Sequence, residues 1–181
     1  MNNFRKKIHI VGRELFDEKT NEFIPIDDGY IEFEHSLAAI ADFEARTHKR
    51  FIGNRELTNE DISLYLECMC VNPDDVPKLK YLTEENMKEL NDYITDDMTA
   101  TKFYKYNKTS REIITSEKIY YWMTANRIPI EFEHWHISRL MTLLRICANS
   151  NAPAKKKSQQ EIMADHARIN AMNRAKYHSK G

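Results

Sequence analysis

The chain has 181 residues with 41% hydrophobic and 30% charged side chains, enough to build the core of one compact domain with a small appendage and too much to leave it globally disordered. Its longest apolar run, Leu140–Ala148, is interrupted by Arg145, which excludes a bilayer-spanning helix, and three cysteines at no framework spacing (Cys68, Cys70, Cys147) exclude a disulfide scaffold and fit a reducing compartment. The net charge of −1 is uneven: residues 155–181 carry seven Lys/Arg against Glu161 and Asp165, a net of +5, and the rest carries −6.

The first thirty-odd residues read as β structure. "KKIHIVGRELF" alternates in part, "DEKTN" is a turn cluster, and "EFIPI" and "YIEFEH" are two further short alternating runs separated by "DDG". A small antiparallel hairpin sheet of about three strands is expected, covered on one face by helices. The N-terminus has basic residues but no continuous apolar stretch, so no secretion signal is expected.

Helices follow. "HSLAAIADFEARTHKRF" has Ser36 as a cap, with Leu37, Ile40, Ala41 and Glu44 on one side and Phe43 joining them. "LTNEDISLYLECMCV" opens on Thr58 and Asp61 in capping-box spacing, and Ile62, Tyr65, Leu66 and Met69 form its stripe. "NPDDVP" ends it. A third helix starts at Thr83, has acids in its first turn, and carries Met87, Leu90, Ile94 and Met98. "TSEKIYYWMTAN" is a short helix stopped by Pro129. The segment "WHISRLMTLLRICAN" sets Ile137, Leu140, Met141, Leu144 and Ala148 in register, widened by Leu143 and Cys147. As the most apolar helix, it is the expected centre of the fold. "SNAPAKKK" is a linker by composition. Ser158 and Glu161 then restart a basic helix with thin apolar content, one expected to be either mobile or ordered by a partner.

The pentapeptide "IEFEH" occurs at Ile31–His35 and again at Ile130–His134, the second extended to "EHWH". A metal site would use Glu131, Glu133, His134 and His136, but zinc needs three or four converging ligands and no second cluster supplies them. The neighbouring residues do not extend the match, so two helix entries are expected, the first preceded by a strand. Cys68 and Cys70 point to different faces of a helix and read as buried structural thiols, as does Cys147. No phosphate-cradling glycine loop and no nucleophile–base order is present, so neither an enzyme nor a cofactor is expected. "KFYKYNKTSR" interleaves Lys102, Lys105, Lys108 and Arg111 with Phe103, Tyr104 and Tyr106, a pattern that suits single-stranded nucleic acid or pins a loop to the core.

Several stretches carry a resemblance: "REIITSE", "IYYWM", "IP…WH…RL…LLRIC" and "NAPAKKKSQQEI", with "FEHSLAAIADFEA" and "DDMTATKF" earlier. Across most of residues 31–181 the chain resembles the tail assembly chaperones of long-tailed bacteriophages, whose Trp-His element corresponds to Trp135 and His136. Phe132 and Glu133 depart from that family's pattern, which expects a cysteine-containing stretch and so weakens a metal role further. The resemblance implies a protein of the host bacterial cytoplasm, without enzymatic activity, cofactor or membrane contact. It binds the long helical tape-measure protein, keeps it soluble for tube assembly, and meets the tail tube protein as a further partner. On this reading partner contacts are expected at Tyr121, Trp122, Trp135, His136 and Arg139, and in the tail at Lys155, Lys156, Lys157, Arg168 and Arg174. The alternative is a phage nucleic-acid-binding or regulatory protein that uses the basic tail.

The expected fold class is α+β, mostly helical: an N-terminal antiparallel β-hairpin element, a basic C-terminal helix, and a helical body between them. Residues 1–150 form a single domain, β-rich over 1–35 and helical over 36–150. Residues 151–181 form the linker and tail helix.

Overall fold

Alternation in the N-terminal segments builds a hairpin because it gathers one set of apolar side chains on a face that can be buried. The computed structural model describes residues 4–17, 21–103, 113–151 and 159–177. Strand β1 (Lys6–Ile10) pairs antiparallel with β4 (Gly29–Phe33), and β2 (Arg13–Asp17) pairs antiparallel with β3 (Glu22–Ile26). The register carries through the gap: Ile10 faces Gly29, Arg13 faces Ile26, and Val11–Gly12 lies against Asp27–Asp28. The expectation of three strands is corrected by this break, which divides "KKIHIVGRELF" in two. Asp28 holds it, since its Oδ1 accepts from the Gly12 amide at 3.2 Å and meets His9 Nε2 at 3.1 Å. His9 and that amide hold the Asp28 carboxyl below its ordinary range. A Cβ on Gly12 would stand 3.1 Å from the Asp28 nitrogen, so the close approach favours glycine.

The break also shifts the core-facing phase. On β1 and β4 the buried set is Ile8, Ile10, Ile31 and Phe33, with Ile8 directly opposite Ile31. Beyond the break Ile26 is buried, whereas Phe16 and Phe23 are exposed. A one-residue change of phase turns a strand's faces over, so the far end of the hairpin presents aromatic side chains to solvent.

Helix α1 (Leu37–Thr47) follows at once, capped by Ser36 through the Ala39 amide and ended by His48 in the left-handed region at φ 56°. Leu37, Ile40 and Phe43 are fully buried, each contributing about 1.5–3 kcal/mol by leaving water. Helix α2 (Asn59–Met69) begins with the expected capping box of Thr58 and Asp61, and Lys49 reaches the same carboxylate at 2.8 Å. Tyr65 and Met69 are buried, while Ile62 of the expected stripe is exposed. Just past α2 the chain lies along the outer edge of β4: Glu34 N donates to Met69 O at 2.8 Å, and Val71 N donates to Glu32 O at 2.9 Å.

A 3₁₀ helix, η1 (Pro73–Tyr81), leads to α3 (Glu84–Thr95), which is capped by Thr83 with Asn86. Leu90 of the expected stripe is buried, Ile94 packs against the core, and Tyr93 joins them as a buried residue that the stripe did not include. Met87 is exposed, and Met98 lies past the helix end in the left-handed region. Then come α4 (Ser116–Ala125), a second 3₁₀ helix η2 (Ile130–His134), and α5 (Ile137–Asn151). Thr115 makes no side-chain cap on α4. That task falls to Glu44 of α1, buried, with one oxygen accepting from Ser116 N at 2.7 Å and the other from Phe51 N at 2.9 Å.

The hydrophobic core joins the β1–β4 face to α1, α2, α3, α4 and the first half of α5. Its centre is α1 rather than the expected α5, because α5 buries only Ile137, Leu140 and Leu144 and exposes Arg145 and Ile146. The chain divides into two compact units, Met1–Cys147 and Ala148–Gly181. The second contains α6 (Gln159–Tyr177), where the exposed Met163, Ile169 and Met172 are spread around the helix instead of forming one stripe. The architecture is α+β. Among the described residues no helix is long and apolar enough to cross a membrane.

Candidate functional site

The two "IEFEH" copies adopt different structures and meet. The first is the end of β4 and the approach to α1; the second is η2. Ser36 caps α1, and His136 caps α5 by accepting from Ser138 N at 3.3 Å, so both copies are helix entries. Ser36 and His136 form an isolated antiparallel bridge, and Ile137 N donates to His35 O at 2.9 Å. The repeat is therefore a junction between two unlike segments and not a duplicated fold.

Pro129, held at φ −55° and ψ 141°, starts η2. Side chains three apart eclipse in a 3₁₀ helix, which explains why Phe132 and Trp135 stack with centroids 4.0 Å apart and planes 15° apart. Arg139 lies one α-turn beyond Trp135. Its guanidinium sits 5.0 Å from the Trp135 ring and 5.0 Å from the Phe4 ring, and donates to Met98 O at 3.4 Å. Phe4 closes on Trp135 at 5.5 Å. The three aromatics are half-buried and Arg139 is exposed. The result is an aromatic surface crossed by a cation, an arrangement worth about 0.5–2 kcal/mol depending on solvation.

Beside it runs a chain of polar contacts. Glu34, 7% exposed, accepts from Arg5 Nε at 2.8 Å and from His134 Nδ1 at 2.8 Å. His134 Nε2 lies 3.6 Å from Glu133, whose other oxygen accepts from the Tyr120 hydroxyl at 2.6 Å. The hydrogen bond to Glu34 raises the Arg5 pKa, and burial, followed by Glu133, raises that of Tyr120. Arg5, Glu34, His134, Ser36, Cys68 and Met69 border a pocket of about 220 Å³. Its cysteines are half-buried and protonated: burial, then Asp42, pushes the Cys68 thiol up to about 12, and burial raises Cys70, which donates to Asn72 O at 3.2 Å. Thiols in this state are poor nucleophiles and poor metal ligands. Among the described residues, no group of three or more His, Cys, Asp and Glu side chains converges as a metal ion would require.

Under the aromatic surface lie two buried histidines with ring centroids 4.9 Å apart, His35 and His136. His136 places Nε2 at 3.1 Å from Tyr93 O and Nδ1 opposite the Ser138 amide. A carbonyl on one nitrogen and an N–H on the other select the neutral tautomer. His35 Nδ1 shares a 2.6 Å hydrogen bond with the Tyr65 hydroxyl, and burial, followed by repulsion from His136, lowers its pKa to about 3. Burial also lowers His136. The Tyr93 hydroxyl accepts from His35 N at 2.9 Å and donates to Phe4 O at 2.6 Å, tying α3 to the strand entry and to the β4–α1 corner. Tyr93→Phe leaves the buried His35 amide without its acceptor and is expected to cost about 1–3 kcal/mol. Urea denaturation would read this, and a loss near zero would show that another group takes over.

Of the residues expected to touch a partner, Trp135 and Arg139 are brought together at this surface. His136 is 1% exposed and serves the interior beneath them. Tyr121 on α4 is exposed, Trp122 is half-buried against the core, and their neighbour Tyr120 is the residue that ties α4 to Glu133. On α6, Arg168 and Arg174 are exposed, with Arg168 3.8 Å from Asp165. Lys155, Lys156 and Lys157 lie outside the described residues, as does most of the Lys/Tyr segment, residues 104–112. Sequence reasoning missed Phe4, Arg5, Glu34 and Tyr120, and named Phe132 and Glu133 only as departures from the family pattern, Glu133 also as a candidate metal ligand. Only the three-residue spacing of Phe132 and Trp135 after a proline could have revealed part of the set. Comparison with family models, curated proteins and solved structures finds no match for this chain.

Proposed function

We propose that this chain is a non-enzymatic tail assembly chaperone of a long-tailed bacteriophage, acting in the host bacterial cytoplasm to hold the tape-measure protein for tube assembly. The sequence resemblance across most of residues 31–181 supports the reading. So does the surface made by Phe4, Phe132, Trp135 and Arg139, the single observation that carries it here. Half-buried aromatics with an arginine are the side chains that dominate binding energy at protein interfaces. They offer an apolar platform for a helix face and a fixed donor for the carboxylates flanking it. Among the described residues the neighbouring polar groups bond one another and the thiols are protonated, which fits a holding role better than a reacting one.

Co-expression with the tape-measure protein of the same phage, followed by affinity capture, tests the proposal. Trp135→Ala and Arg139→Ala are each expected to weaken capture about thirty-fold, the equivalent of a ~2 kcal/mol hot spot, with the helical circular dichroism retained. Capture unchanged by both substitutions removes the site; no capture by the unaltered chain removes the function. The nucleic-acid reading is favoured by exposed Arg168 and Arg174 on α6. Its signature is an affinity for single-stranded DNA or RNA that falls steeply with salt.

A further inference from the structure

Of the hairpin's edges, three are engaged or blunted. On the β1 edge, the Asn86 side chain donates to His9 O at 3.1 Å and Lys6 pairs with Glu89. The β4 edge is occupied by Met69 and Val71. On β3, Pro25 carries no N–H to offer a further strand. The outer edge of β2 is different. At its start the Arg13 side chain reaches Tyr81 O at 2.9 Å, but among the described residues Glu14, Leu15 and Phe16 make no backbone bond outside their own ladder. Strands β2 and β3 contact chiefly each other, and they expose Leu15 (37%), Phe16 (50%) and Phe23 (65%). A two-stranded ladder with open edges and apolar side chains is marginal alone and acts as a template for another strand.

We propose that the outer edge of β2 pairs antiparallel with β2 of a second copy of this chain, about a two-fold axis at Leu15. The sequence of β2, "RELFD", is self-complementary in that register. Leu15 stands opposite Leu15, Glu14 opposite Phe16, and the basic residue 13 opposite the acidic residue 17. In this register no like charges stand opposite each other in sequence, which favours it over the alternatives that oppose them. The four strands then form one sheet, β3-β2-β2-β3, which gives the exposed Leu15 and Phe16 cross-strand neighbours. Two five-residue strands make a contact below the ~1,200 Å² of stable complexes, so the association is weak and concentration-dependent. This surface and the client site share no residue, so either stands if the other fails.

Sedimentation velocity on the full chain is expected to show a monomer–dimer equilibrium at about 100 µM, the regime of small contacts. Leu15→Lys, which sets two like charges on the axis, is expected to raise the dissociation constant at least ten-fold. Because that substitution also touches the ladder within one copy, a second variant is informative. Leu15→Cys is expected to give a disulfide-linked dimer under mild oxidation, mapped by mass spectrometry to the two substituted positions, whereas Tyr30→Cys is not. A chain that stays monomeric, a dimer indifferent to Leu15→Lys, or cross-linking equal at both cysteine positions overturns the proposal.

Discussion

Glu44→Ala is expected to lower the stability of the Met1–Cys147 unit by about 3–5 kcal/mol, because two backbone amides lose a charged acceptor at once. One carboxylate here serves two elements: Phe51 N in the chain after α1, and Ser116 N at the start of α4. The α4 terminus has no side-chain cap of its own, so the substitution also removes the negative charge that complements its dipole. For a unit of this size the midpoint of thermal unfolding should fall by roughly 10 °C. Glu44→Gln retains one carbonyl oxygen but turns an amide group toward the other N–H, so it should recover only part of the loss. A midpoint within two or three degrees of the parent would show that water or another side chain satisfies both amides.

Stability should also fall between pH 6.5 and pH 4.5, at up to about 1.4 kcal/mol per pH unit per buried histidine. His35 has its pKa lowered from 6.5 to about 3, and His136 is lowered as well. A group depressed in the folded state binds its proton more readily once unfolded, so the stability it contributes is complete above 6.5 and drains as pH falls toward the folded value. Asp28 and Asp61 are held below 3.8 by hydrogen bonds, first from His9 and Lys49 respectively, and Glu117 is held below 4.5 by a backbone amide, so these carboxylates lose their contributions mainly in stronger acid. Urea titrations at pH 7.5, 6.0 and 4.5 would measure the slope. His35→Gln, which keeps a partner for Tyr65 but does not titrate, should flatten it. A level profile across that range would mean the two rings are hydrated in solution.

Local signals were legible in the sequence. The Thr58–Asp61 box and the Thr83 and Ser36 caps involve residues three apart or fewer, and short-range steric and hydrogen-bonding rules decide them. Helix stripes were less legible. On α3 the apolar count finds Leu90 but puts the exposed Met87 on the same stripe and passes over the buried Tyr93, whose hydroxyl has a distant task at His35 N and Phe4 O. On α1 the same logic hid the centre of the fold, because a buried glutamate makes a helix read as more polar than the space it fills. The hairpin was misread where Asp28 seizes Gly12, a contact across 16 positions that no alternation count registers. Trp135 and Arg139 were singled out through the resemblance. Their platform was not, because Phe4 arrives from the far end of the chain.

The junction of the two pentapeptides has a consequence for synthesis. Glu34 meets His134 across 100 positions and His35 O meets the amide of Ile137, while the whole β1–β4 hairpin and α1 lie within the first third of the chain. A ribosome releasing the chain in order exposes the corner after β4 long before its cover exists, and closing so wide a loop is entropically slow. The early segments must therefore wait, with Phe33 and Leu37 incompletely covered, until the second pentapeptide emerges. That waiting interval, more than the finished fold, is when this polypeptide is most prone to aggregation.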